Sequence, residues 1–267
     1  MTNLKNVTFL CLFIFNCLGQ KSDDITYDFS CFETDLTSEG ISAMSDIEQY
    51  ILGNFGVEVS VYDEIEFGKE FFAECIKNFT VIEQGKDVQR LNSILKKLTD
   101  KILSPRGVNY SITLLDTNML NAFTTGGYIF VTTEMLNFCL SDDELACIIG
   151  HEIAHNELGH INDHIKRYKT AESYLGEGLG DFSAYLGSIL ATPLNQKDEA
   201  HCDMLGIDLA MAAGYNVCSC ISLWKRMQEK EGEYDQILTI LSSHPYSGKR
   251  ADCAKNHIST NYQTSCP

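Results

Sequence analysis

His151 and His155 stand four residues apart in a stretch that begins just after Ser141-Asp142-Asp143-Glu144, and that spacing constrains the fold more than any other feature. A Ser with an acid three residues on is a capping box, in which hydroxyl and carboxylate satisfy opposite orphan amides at a helix start. A helix is therefore predicted from about residue 142, through Ala146, Ile149, Ile153 and Leu158, to about Tyr168. Residues i and i+4 of a helix share a face, one turn apart. Both imidazoles then project together from the middle of one helix, with Glu152 beside them. The rest of the chain has to fold around that polar face.

Helical apolar spacing recurs at Ile65, Phe71, Phe72, Ile76 and Phe79, and more cleanly at Val88, Leu91, Ile94, Leu95 and Leu98, predicting two helices that pack on a core. Val108 to Leu114 alternates as a half-buried strand does, and Tyr128-Ile129-Phe130-Val131-Thr132 is β-rich behind the turn signal Gly126-Gly127, giving strand, Gly turn, strand. Gly176 to Pro193 reads as a loop or broken helix, and a further helix is expected from Gln196 to Ala213, stopped by Gly214. The predicted architecture is α+β and mostly helical, with a small β-sheet beside the helix of His151. It divides into a leader at 1–19, an N-terminal arm at 20–60 and one domain at 61–267.

A net charge of -17 and a pI near 4.7 exclude nucleic acid as a partner, since phosphate binding needs clustered Lys and Arg. Residues 1–19 combine Lys5, an apolar run from Val7 to Phe15 and Gly19, the layout of a secretory signal cleaved before Gln20. An exported protein, periplasmic or secreted, is the expectation. Membrane association through a lipidated Cys17 is the alternative, with Asn16 before it a poor match. Beyond the leader lie Cys31, Cys75, Cys139, Cys147, Cys202, Cys218, Cys220, Cys253 and Cys266, an odd number that leaves at least one thiol outside intrachain bridges. Cys218, Cys220, Cys253 and Cys266 are the first candidates for bridging.

Two imidazoles one turn apart can reach a single tetrahedral ion, and Glu152 would sit beside its open position. A carboxylate there can take a proton from the attacking water and hand it to a leaving amine, as amide hydrolysis requires. A lone histidine on such a helix is ordinarily packing or surface; the spaced pair with Glu152 between reverses that preference. A third ligand must come from elsewhere, and Glu199 on the next helix is the candidate. Asp203, four residues on, faces the same way and can accept a hydrogen bond from a ligand imidazole. Taken alone, that acidic pair would read as a solvated helix face. His201 and Cys202 are donors by chemistry but are predicted to point away from this face, Cys147 reads as buried packing, and His160 is turned off the ligand face by its five-residue offset from His155. The metzincin extension needs Gly at 158 and His at 161, where Leu158 and Ile161 stand, so that subclass is excluded.

The chain resembles the M48 family of zinc peptidases. The resemblance rests on Asn121-Ala122-Phe123 followed by Gly126 to Thr133, on His151 to His155, on Glu199 with Asp203 and Gly206, on Ala213-Gly214-Tyr215, and on His244-Pro245 with Arg250. It runs from about Asp63 to Arg250. It implies a gluzincin-like fold, one Zn2+ per chain held by His151, His155 and Glu199, and a substrate-holding edge strand at Tyr128, Ile129, Phe130 and Val131. It also brings His244 near the metal, as an oxyanion stabiliser or a regulatory plug, and makes Arg250 a brace. The usual acidic-Ala-Asp run is altered here by His201 and Cys202. No long hydrophobic helices flank the site, which speaks against the multi-spanning prenyl-protease branch and for the soluble, periplasmic quality-control type.

The expected function is that of a zinc-dependent metalloendopeptidase acting on polypeptides, exported or membrane-associated ones, in quality control. The competing expectation is a binding protein or holdase that keeps the fold without turnover. A purely structural zinc domain would not need Glu152 beside an open position.

Overall fold

The computed structural model describes residues 25–32, 58–162, 165–166, 169–170, 196–230, 244 and 247–267. The leader at 1–19, Cys17, Tyr168 and the loop expected at 176–193 lie outside the described residues, as does most of the arm at 20–60. Seven helices and four strands are labelled here: α1 (Val61–Asn78), β1 (Thr80–Ile82), α2 (Lys86–Thr99), β2 (Ser111–Asp116), β3 (Ala122–Thr125), β4 (Tyr128–Thr132), α3 (Thr133–Phe138), α4 (Asp142–Glu157), α5 (Gln196–Ala212), α6 (Cys218–Lys230) and α7 (Ser247–Tyr262). The mixed, mostly helical architecture read from the sequence is therefore present, with a single small sheet among the described residues.

The sheet runs β1-β2-β4-β3. β3 and β4 form the hairpin, antiparallel with Phe123 opposite Phe130. Gly126 and Gly127 join them with φ of +53° and +89°, the two positive angles that a turn matching strand twist demands. A Cβ on Gly126 would stand 2.9 Å from Gly68 Cα of α1, so the turn is also pressed against that helix. β2, by contrast, runs parallel to β4. The strand entering the Gly turn is thus Ala122–Thr125, four residues that carry too little pattern to find, whereas the expected partner at 108–114 reaches the sheet on the other side of β4. This corrects the edge strand as well. Tyr128 to Val131 belong to an interior strand, and the edge beyond β4 is β3.

Phe71 of α1, Phe123 and Phe130 pack edge-on or stacked with ring centroids 4.9–6.2 Å apart, covering one sheet face. On the other side Leu91, Ile94, Leu95 and Leu98 of α2 join Leu145, Ile148, Ile149 and Ile153 of α4 in the main core. Each such fully buried aliphatic side chain contributes roughly 1.5–3 kcal/mol.

α4 starts where Ser141 predicts, its Oγ accepting from Glu144 N at 3.3 Å. The reciprocal half of the box goes elsewhere: Glu144 accepts from Leu140 N at 2.7 Å and from both terminal nitrogens of Arg226 on α6 at 2.7 Å each. The helix does not run to residue 168. It ends at Glu157, Gly159 turns the chain with φ +84°, and helical geometry resumes at 160–162. Leu158 N and Gly159 N close on Ala154 O and Asn156 O, ending the helix as a left-handed glycine does.

Three disulfides tie the layers: Cys147–Cys220 from α4 to α6, Cys218–Cys266, and Cys31–Cys253. All four cysteines singled out late in the chain are bonded. Cys147 is not simple packing, because the partner one turn before His151 comes from α6 and cannot be seen from local spacing. Cys75, Cys139 and Cys202 are free and buried. Residues 25–32 lie along α7 and α5, with Tyr27 donating to Asp208 Oδ2 at 2.7 Å and Thr26 exchanging two backbone hydrogen bonds with the Asn261 side chain.

Candidate metal centre

The site is made where α4 and α5 touch. A Cβ on Gly150 would stand 2.8 Å from Gly206 O, and one on Gly206 would stand 2.8 Å from His151 N; any side chain there would force the helices apart. This close approach lets Glu199, in the first turn of α5, reach both histidines. His151 Nε2 lies 3.5 Å from Glu199 Oε2, His155 Nε2 lies 3.4 Å from Glu199 Oε1, and the two Nε2 atoms are 2.9 Å apart. Ligands held roughly 2.0–2.1 Å from a tetrahedral ion are separated by about 3.3–3.4 Å, so the three donors have the spacing of one coordination face. Glu199 Oε1 and Glu152 Oε1 are buried without a hydrogen-bond partner, which is costly unless a cation or substrate is to be met there.

His151, Glu152, His155 and Glu199 are each no more than 2% exposed. Burial pushes His151 down to about 3, keeping the imidazole neutral and its lone pair free, and the same desolvation raises Glu152 to about 7. A carboxyl near neutrality can both take and give a proton. Glu199 is held well below the usual carboxylate range: burial alone would raise it, but His244 and His151 beside it outweigh that.

His244 joins this group. Its Nδ1 is 2.8 Å from Glu199 Oε2 and 3.2 Å from His151 Nε2, and its Nε2 is 4.0 Å from Glu152 Oε1. His151, His155, Glu199 and His244 thus converge as four buried donors.

Behind His151 stands Asp203. Its Oδ1 is 2.9 Å from His151 Nδ1, and because an ionised carboxylate only accepts, the ring proton sits on Nδ1 and Nε2 is left to face Glu199. Arg250 of α7 grips the same carboxylate through Nε and Nη2, both at 2.7 Å, and donates to His244 O at 3.1 Å. Its guanidinium lies 3.8 Å from the Trp224 ring centroid. Burial would raise Asp203, but Arg250 holds it below its ordinary value.

The model of peptidase family M48 matches residues 86–258, well over half of the chain and the whole span from α2 to α7 that builds this centre. The chain belongs to peptidase family M48. Among M48 relatives it is 32% identical over 138 residues to the mitochondrial metalloendopeptidase OMA1 of Schizosaccharomyces pombe, covering 49% of this chain and 41% of that one. It is 28% identical over 217 residues to the OMA1 of Bos taurus, covering 71% and 40%, and 24% identical over 184 residues to the metalloprotease LoiP of Escherichia coli, covering 64% and 70%. The chain spans about two fifths of the length of these OMA1 relatives. These findings correct the expected localisation. The relatives of higher identity are mitochondrial by name, so the exported, periplasmic or secreted assignment does not stand.

Within this M48 domain the structure brings together every site residue expected from the sequence except the strand 128–131, which is interior. It also places two that were set aside. Cys202 does not point away: its Sγ lies 3.3 Å from His155 Nδ1 and 3.3 Å from His160 Nδ1. His160, 3.1 Å from His155 Nδ1, returns to the site because the helix breaks at Gly159. The Leu158-Gly159 pair was the available signal, since a glycine after a run of helix formers is an ordinary helix stop. Burial raises the Cys202 thiol well above its usual value and lowers His160 to about 2.

Proposed function

We propose that this chain is a zinc metalloendopeptidase of gluzincin-like fold, with His151, His155 and Glu199 as ligands and Glu152 as the group that moves protons. The observation that carries it is the convergence of three donors at coordination spacing with a buried, near-neutral Glu152 adjacent. When bound, Zn2+ supplies Lewis acidity, polarising the scissile carbonyl and acidifying a water. The imidazole–carboxylate donor set with its neutral histidines suits that ion. Glu152 accepts a proton from the attacking water and returns it to the leaving amide nitrogen. Asp203 fixes the His151 tautomer, and Arg250 braces Asp203 and the His244 backbone.

The substrate is proposed to be a polypeptide in extended form, lying along β3. Among the described residues Ala122–Thr125 are the end strand of the sheet, buried along their length, and Asn121 at the head of that strand has a buried amide with neither atom hydrogen-bonded. Main-chain pairing is indifferent to sequence, which fits proteins that expose unfolded segments, as misfolded or unassembled ones do. No helix among the described residues is long and apolar enough to cross a membrane.

A second reading, a quiet resting state, is favoured by His244, whose Nδ1 stands among the ligand donors rather than over a carbonyl site. In that reading His244 would be a fourth residue able to hold the ion, through Nδ1 beside Glu199 and His151. Glu152→Gln is expected to retain zinc by elemental analysis and lose casein cleavage; cleavage at the parental rate would sink the role of Glu152. His244→Ala is expected to retain zinc and cleave faster, whereas slower cleavage would make His244 an oxyanion group instead.

A further inference from the structure

On the far side of the His155 ring from Glu199, three donors meet that the peptidase chemistry leaves unused. His155 Nδ1, His160 Nδ1 and Cys202 Sγ form a triangle with sides of 3.1, 3.3 and 3.3 Å. Nitrogen and sulfur ligands at their usual lengths on one tetrahedral ion stand roughly 3.3–3.6 Å apart, so the triangle has the size of one face of a coordination sphere. The two outer donors arrive for separate reasons. Gly159 breaks α4 and turns His160 back, while Cys202 lies three residues after Glu199, so successive turns of α5 present a carboxylate to one nitrogen of His155 and a thiol to the other.

Without a cation, hydrogen bonds occupy the corners, His155 Nδ1 and His160 Nδ1 each lying against Cys202 Sγ. His155 and Cys202 are 2% and 0% exposed, so the donors face one another rather than water. A single cation accepting a lone pair from each corner satisfies all three, the two displaced protons leaving to solvent.

We propose that Cys202, His160 and Nδ1 of His155 form a second cation site, for a thiophilic ion such as Zn2+ or Cd2+, which shares the His155 ring with the first. One thiolate, the imidazolate of His155 and the imidazole of His160 select such ions over Mg2+ or Ca2+, which require oxygen ligands. Asp198, with Oδ1 3.7 Å from His160 Nε2, orients the outer histidine. Two dications across one ring repel, so the second binds more weakly than the first. The site is a point at which excess thiophilic metal acts on the first centre, and it stands whether or not the chain is a peptidase.

The test is a Cd2+ titration of the metal-free full chain, followed by the ultraviolet charge-transfer absorption of a thiolate–cadmium bond and by counting bound ions after dialysis. The wild-type chain is expected to take up two ions and to develop the band. Cys202→Ala is expected to abolish the band and retain one ion, even though Cys75 and Cys139 remain. His160→Ala is expected to weaken the band-forming ion by more than the ~10–100-fold that loss of a group supporting a ligand costs. His151→Ala, which disables the first centre, is expected to keep the band. Absence of the band from the wild-type chain, its survival in Cys202→Ala, unchanged affinity in His160→Ala, or its loss in His151→Ala would each overturn the proposal.

Discussion

The two histidines of α4 look alike from the front of the centre and differ from behind. His151 is backed by a carboxylate, Asp203, which is held by Arg250, which lies in turn on Trp224. His155 is backed by a neutral thiol and a neutral imidazole. The first arrangement is a buried charge network that holds one tautomer and ties α4, α5, α6 and α7 together. The second holds its ring with weaker groups and leaves donor lone pairs over. The difference teaches that one cluster of donors can be rigid at one histidine and adaptable at the other, because charge-assisted hydrogen bonds are roughly twice as strong as neutral ones.

The largest test of that contrast is Asp203→Ala. It removes the bidentate partner of a buried cation, leaving Arg250 only the Glu199 carboxylate 3.4 Å away; breaking a buried pair costs about 3–5 kcal/mol, and the His151 ring is freed. A large drop in the denaturation midpoint is expected together with ~10–100-fold weaker zinc binding, measured by chemical unfolding and by competition with a chelator. A smaller effect is expected from His160→Gln, because no charge is orphaned: zinc affinity falls toward the lower end of that range, ~10-fold, and stability changes little. Equal losses from the two substitutions would erase the asymmetry.

The smallest expected effect is a difference in how the metal-free protein responds to acid. His151 and His160 are lowered to about 3 and about 2 from an ordinary 6.5, so the unfolded chain binds protons below pH 6.5 that the folded chain refuses. Stability therefore falls as pH drops through that value. Asp203, lowered from 3.8, contributes stability that is present above its ordinary value and lost below it, so its share disappears only at stronger acid. His160→Gln is expected to make the loss shallower from pH 6.5 downward, most visibly between 6.5 and 3.8 where Asp203 does not yet contribute, as read by thermal melts across pH. An unchanged upper slope would show that His160 titrates normally in the folded chain.

Much of this centre was legible in the chain because it is helical and local. His151, Glu152 and His155 needed only the i,i+4 rule, and Ser141 marked where their helix begins. Gly126-Gly127 announced a turn, and Gly214 a helix end. What failed was whatever depended on partners distant in sequence. Cys147 read as packing because Cys220 lies on another helix. Tyr128 to Val131 were expected as an edge from the family resemblance, and their hydrophobic pattern could not correct it, since it reports that a strand is buried and says nothing of its neighbours; the short β3 beside it had no pattern to read. Cys202 and His160 were turned away by assuming one continuous helix and by angular reckoning on α5 alone.

The sequence by itself determined which residues could bind a metal and activate a water, since those depend on side-chain chemistry and on spacing within one helix. Only the tertiary structure decided which of them converge on one point. Gly150 against Gly206 sets how closely α4 and α5 approach, and that distance buries Glu199 beside both histidines rather than leaving it a solvated acid. The break at Gly159 likewise turns His160 from a surface histidine into the back wall of His155, because moving one φ from the helical value of about -63° to +84° redirects every side chain that follows.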